Sequence, residues 1–220
     1  MAIRLSTGTT AAALAAAERA AGRQPENEID TDVIETAAEL RNRSSAVFST
    51  GHVRRVLPSD LHASVAHLLS LDVEDRYLRF GYSVSDAALR NYGAGLVEGS
   101  DIVVGAFTGA GLVGLCHFSS TGQPAGDGEV GITVSACCRR DGWAQRMLKL
   151  AFFLGRSKGI LRAHLCYLSC NHAMAGLVRR LGATITPFGP ESTGVVATNC
   201  FLAEEPVALE VCREEELAHQ

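Results

Sequence analysis

The run ITVSACCRRDGWAQRMLKLAFFLG, residues 132–155, constrains this chain more than any other stretch. Ile132, Thr133 and Val134 suit a strand that ends near Ser135, and a helix follows from about Trp143 to Ser157. Only a short bend carrying Arg139 and Gly142 separates the two. Such a junction leaves the N–H groups of the first helical turn facing outward, where the helix dipole favours an anion. Gly142 lets a ligand approach the backbone, small Ala144 keeps the helix start uncluttered, and Arg139 and Arg140 add positive charge. An ordinary strand–turn–helix is the other reading of these residues.

The surrounding pattern fixes the fold class. Val53 to Leu57 is a strand stopped by Pro58, with Ser59 expected to cap a helix that places Leu61, Val65, Leu68 and Leu69 on one face. Ser85 is expected to cap a helix over 86–92. DIVVGAF and LVGLCHFS read as strands joined by a TGAG hairpin, and EVGITVSA as a third strand. Leu161 to Leu168 is a strand, 171–182 a helix, and ATITPF with GVVATNCFLA a closing β pair. The sheet is hairpin-like first and crossover-like later, so the fold class is mixed α/β (α+β). Residues 1–51 read as a partly helical arm, 52–205 as the domain, and 206–220 as an acidic tail.

Charge and composition remove several function classes. A formal net charge of −4 disfavours a sequence-independent nucleic-acid binder. No run approaches the roughly 20 apolar residues of a membrane span, and Glu18 and Arg19 interrupt the Ala-rich start, so neither membrane nor secretion is expected. Seven cysteines, an odd number, suit reduced thiols in a cytoplasmic protein better than a disulfide framework.

Two motifs invite other readings. GAGLVG at 109–114 matches G-x-G-x-x-G, but it falls between two β runs rather than at a strand-to-helix turn, so a dinucleotide site is rejected. HLCYLSCNH at 164–172 offers His164, Cys166, Cys170 and His172 at strand spacing, which suggests zinc. Asn171 ends that strand and opens a helix, however, so Cys170 and His172 leave the shared face. No metal is expected.

Arg139-x-x-Gly142-x-Ala144, with Val134 five residues earlier, resembles the acetyl-CoA loop of the GNAT superfamily of N-acetyltransferases. A second family motif, Asn-x-x-Met/Ala-x-x-Leu ending near a Gly, is matched by Asn171, Met174, Leu177 and Gly182. The resemblance covers roughly residues 53–203. DRYLRFGYSVSDAAL and EVGITVSACCRRDGWA are similar, in part, to the acetyltransferase domains of bacterial protein-lysine acetyltransferases, which carry an Arg-Phe segment and a Glu matching Glu129.

The resemblance implies a GNAT-like mixed sheet, with antiparallel N-terminal strands and a splayed parallel pair, 129–135 and 161–168, that holds acetyl-CoA. It implies a pyrophosphate on the amides of Arg140, Asp141, Gly142, Trp143, Ala144 and Gln145, with Arg139 beside it. Ile132, Thr133 and Val134 would meet the pantetheine arm, and Asn171 would both cap its helix and contact that arm. Glu129 is the implied general base, acting directly or through water, for an amine attacking the thioester in a ternary complex. The usual tyrosine acid falls at Val178; Tyr167 and Ser169 are the nearby hydroxyls. Arg76, Arg79 and Phe80 are the substrate-side candidates, the arginines steering an acidic group. His117 and His164 read as strand residues. The partners implied are acetyl-CoA and an amine, small molecule or protein lysine, and a homodimer is compatible. The alternatives are a non-catalytic acyl-CoA sensor on the same fold and a zinc-binding module.

Overall fold

In the computed structural model, residues 51–201 are described, Ser100 excepted. The arm and the acidic tail expected from the sequence lie outside the described residues.

Seven strands form one sheet: β1 (Gly51–Arg55), β2 (Ile102–Thr108), β3 (Gly111–Ser120), β4 (Asp127–Val134), β5 (Arg162–Leu168), β6 (Thr184–Phe188) and β7 (Glu191–Ala197). Their order is β1-β2-β3-β4-β5-β7-β6. Every neighbouring pair is antiparallel except β4 and β5. The reason is connectivity: hairpins join β2 to β3 and β6 to β7, whereas a helix carries the chain from β4 over to β5.

Among the described residues five α-helices cover the sheet: α1 (Leu61–Leu69), α2 (Val73–Phe80), α3 (Asp86–Glu98), α4 (Trp143–Ser157) and α5 (His172–Arg180). On one face α4 and α5 bury Trp143, Met147, Leu148, Phe152, Leu177 and Val178 against Ile102, Cys116, Phe118 and Leu165. On the other, Leu68, Leu89, Tyr92 and Leu96 pack on Val103 and Leu115. β2 is buried on both sides, which fits its unbroken apolar run.

Three local expectations shift. β1 is Gly51–Arg55 rather than Val53–Leu57. Ser59 does not cap α1. It sits inside a 3-10 turn, Pro58–Asp60, and Asp60 does the local work: its carboxylate accepts from the Leu57 N–H at 2.8 Å and pairs with Arg54. The sequence reading left α2 unassigned, although Asp72 caps it by accepting from the Asp75 N–H at 2.7 Å and Gly81, at φ 80°, stops it. α2 is only eight residues long, half of them charged, and buries none completely, so it is too short for its pattern to stand out in the sequence. Ser85 does cap α3, accepting from the Ala88 N–H, but that helix runs on to Glu98 instead of ending near 92.

One buried group makes stability pH-dependent. His67 of α1 donates from Nε2 to Thr133 Oγ1 at 2.9 Å, and Ser135 Oγ lies 3.4 Å from its Nδ1. Burial pushes the imidazole from 6.5 down to about 4. Between those values the unfolded chain binds a proton that the folded one refuses, so stability falls as pH is lowered through this window. The slope contributed is at most about 1.4 kcal/mol per pH unit. Urea midpoints measured from pH 7 to 4 should decline less steeply in His67→Gln than in the wild type.

Candidate active site

β4 is held to β3 as far as Val134↔Gly114, and β5 is held to β7 along its whole length, Arg162↔Ala197 to Leu168↔Glu191. Between themselves they pair only at Asp127↔Arg162, Gly128↔Ala163 and Glu129↔His164. Beyond that rung each strand follows its outer neighbour and a V opens. The Ser135 N–H bonds the Val113 carbonyl at 2.8 Å, and the Thr121 N–H bonds the Asp127 carbonyl at 3.0 Å. Alternation along an antiparallel ladder therefore turns the backbone groups of Val130, Ile132 and Val134 toward the gap. Such groups need partners, from water or from an extended ligand lying like an added strand.

Thr133 is turned the other way. Its backbone faces β3, and its hydroxyl bonds His67 and the Leu115 carbonyl. Of the three strand residues expected at the cofactor, Ile132 and Val134 alone present backbone to the gap. The Val134 carbonyl already accepts from Arg139 Nε at 3.2 Å.

At the open end of the V the chain bends through Arg140 at φ 70° and Gly142 at φ 81°. A non-glycine residue held in the left-handed region is strained, and such strain collects at ligand sites. α4 then begins with no side-chain cap and no acidic residue in its first turn. The earliest intrahelical bond here runs from the Arg146 N–H to the Gly142 carbonyl at 3.1 Å, so the amides of Trp143, Ala144 and Gln145 have no helical acceptor. These features fit a phosphate group of a coenzyme. Side chains divide the work. Trp143 is buried under Gly51 and offers only its amide, whereas Arg140, Asp141 and Gln145 are exposed. Arg139 ties the bend to α2 through Asp75 at 2.5 Å.

Asn171 sits where β5 passes into α5, and its side-chain oxygen accepts from the Met174 N–H at 3.0 Å. Removing that cap, as Asn171→Ala, should cost about 1 kcal/mol of stability in urea denaturation. Val178, seven residues on, is completely buried in the α4–α5 core. A valine carries no hydroxyl, so this position offers no acid.

The odd-numbered residues of β4 point to the α1–α3 side, as the Thr133–His67 bond requires. Glu129 lies there on the last paired rung. Burial raises its carboxyl above the ordinary range, while Arg79 and His164 pull in the opposite direction. Asp127, one step back, is buried and binds both Arg162 and His164 Nε2, the latter at 2.9 Å. His164 thus stands opposite Glu129 with one ring nitrogen fixed.

Arg79 reaches from α2 onto the same face. Its guanidinium lies flat on Gly131, where a Cβ would collide with Nη2 and Cζ. Arg76 is used differently. It bonds the Leu69 and Leu71 carbonyls at 2.9 Å and pairs with Asp86, locking α1, α2 and α3 together. Phe80 packs edge-on to Tyr92.

No family profile and no curated protein matches the sequence. Solved structures do match by shape. The GNAT domain of S. lividans PAT superposes with a TM-score of 0.58 at 18% identity, covering 67% of this chain and 90% of that one. An acetyltransferase of the GNAT family from Streptococcus pneumoniae gives 0.53 at 17% identity, over 66% and 97%. An N-acetyltransferase from Staphylococcus aureus Mu50 gives 0.54 at 13%, over 68% and 99%.

The chain has the GNAT fold. The splayed β4–β5 pair and the bend before α4 are where the resemblance read from the sequence puts them. Within this fold, HLCYLSCNH makes structural contacts: His164 with Asp127, Cys166 near Thr193 at 3.5 Å, and Asn171 on the α5 cap. Among the described residues, no three His, Cys, Asp or Glu side chains converge as metal ligands, and no helix is long and apolar enough to cross a membrane. The sequence carries no expectation for Gly131, Tyr92 or Asp127, and it reads His117 and His164 as strand residues. Gly131 alone carried a signal, as a glycine inside a strand, which often marks a close approach.

Proposed function

We propose that the protein is an acetyl-CoA-dependent N-acetyltransferase that passes the acetyl group directly to an amine in a ternary complex. The observation that carries this reading is the end of β4–β5 pairing at the Glu129–His164 rung. A carboxylate beside the point where two strands part can serve an amine arriving at a ligand between them.

Acetyl-CoA supplies an acetyl thioester. The amides of Trp143, Ala144 and Gln145, with Arg140, bind the pyrophosphate by dipole and charge. Ile132 and Val134 align the pantetheine arm through backbone bonds, and an outward N–H near Val134 polarises the carbonyl. Asn171 borders the same arm. Glu129 takes the proton from the ammonium form of the acceptor, directly or through water. Its elevated carboxyl range makes it a stronger base than an exposed glutamate. Water protonates the departing thiolate, because Val178 gives α5 no acid.

The test is acetyl transfer from acetyl-CoA to a panel of amines and peptides, followed by free thiol release and product mass. Tight coenzyme binding with no acceptor acetylated would favour a non-catalytic acyl-CoA sensor on this fold.

A further inference from the structure

The arginines near the site are not equivalent. Arg54 pairs with Asp60, Arg76 with Asp86, Arg139 with Asp75 and Arg162 with Asp127. Arg79 has no carboxylate within 4 Å among the described residues, although it is half-buried. What holds it is a built cradle. Gly131 clears the floor, Phe80 lies beneath with its ring centroid 4.8 Å from Cζ, and Nη2–H donates to the Tyr92 oxygen at 3.1 Å.

The cradle is backed by a directional chain. Because Tyr92 accepts from Arg79, its O–H is left to donate to His117 Nδ1 at 3.0 Å. The His117 Nε2–H then donates to the Asp101 carboxylate at 2.9 Å. Tyr92 and His117 are both buried. Burying a tyrosine hydroxyl and a histidine ring is expensive unless both find partners, and here both do, with half-exposed Arg79 and Asp101 at the two ends of the chain. At its Arg79 end the chain leaves N–H donors unused, and they lie over Gly131, two residues along β4 from Glu129. Two residues of strand separate their positions by about 6.5 Å.

We propose that Arg79 is the acceptor-recognition residue and that the acceptor is an amine bearing a carboxylate within a few bonds of its nitrogen. A planar fork suits a carboxylate. A doubly charged phosphate fits less well, because Glu129 shares the face and would oppose the second charge. The amine would stand at Glu129 while its carboxylate meets Arg79. Tyr92, His117 and Asp101 are positioning residues that act through Arg79. This inference rests on the acetyltransferase reading for its kinetics but not for its binding test.

The experiment compares amino acids with their primary amides as acceptors in the full-length protein. The wild type should prefer the acid by about 10- to 100-fold in kcat/KM, the size of one charge-assisted pair. Arg79→Gln should bring that ratio close to one without changing the KM for acetyl-CoA. Gly131→Ala should do the same by evicting the guanidinium. Tyr92→Phe should raise acceptor KM more than it lowers kcat, which a purely structural loss would not do. Amides used as well as acids, or a ratio untouched by Arg79→Gln, would overturn the proposal. If no amine is acetylated, the transferase reading fails separately. Arg79 is then judged by binding of N-acetylglycine to the CoA-saturated protein. Binding that weakens by about tenfold or more in Arg79→Gln upholds the proposal, and binding that is absent or equal in both proteins refutes it.

Discussion

Glu129→Gln should lower kcat for acetyl transfer by about 10²- to 10⁴-fold at neutral pH, the usual contribution of a positioned general base. The amide is nearly isosteric, so acetyl-CoA binding should persist and the loss should fall on the chemical step. The sign of the pH dependence follows from the base role. As the proposed base, Glu129 works only when ionised, so the wild-type rate should fall as pH drops through its carboxyl range. Burial has moved that range upward, so the acid limb should lie above that of an exposed glutamate. Arg79 pulls the same carboxyl down, so Arg79→Gln should move the limb to higher pH. A Glu129→Gln protein with wild-type kcat and an unchanged limb would remove Glu129 from the mechanism.

Phe118→Ala should destabilise the fold by about 3–5 kcal/mol, the range for deleting a buried aromatic side chain. Phe118 is fully buried, and its ring lies 5.6 Å from that of Phe152. Two glycines make its notch. A Cβ on Gly128 would sit 2.7 Å from the ring, and one on Gly155 of α4 would strike it. With both walls being backbone, little side chain is available to fill the void. Gly128 is also a β4–β5 rung, so the ring braces the closed end of the V. The urea midpoint should fall with little change in slope. A loss below about 1 kcal/mol would mean that the notch collapses around the missing ring.

The two kinds of sequence signal fared differently. Strand–bend–helix at 132–155 was legible because both elements are strongly patterned and the bend is short: α4 begins at Trp143 and ends at Ser157, as its periodicity requires. Asn171 was legible because an N-cap is a local device. α2 was not, since it spans only eight residues, buries none of them completely, and has its ends set by Asp72 and Gly81. Thr133 is grouped with Ile132 and Val134 by the resemblance, whereas its backbone faces β3; which groups face β3 depends on register, and register is a property of two strands.

The sequence by itself determined the succession of strands and the strand–bend–helix that opens α4, because each depends on residues close together in the chain, while Glu129 was singled out by the family resemblance. Tertiary structure decided everything that needs a second segment. It alone stops β4–β5 pairing at Glu129, since β3 and β7 hold the two strands apart. It also separates Arg76 from Arg79, three residues apart in one helix. One is locked on the Leu69 and Leu71 carbonyls and Asp86, and the other is laid on a glycine of β4. Positions i and i+3 share one side of a helix, yet the two guanidiniums reach different elements along its length, and only packing says which elements those are.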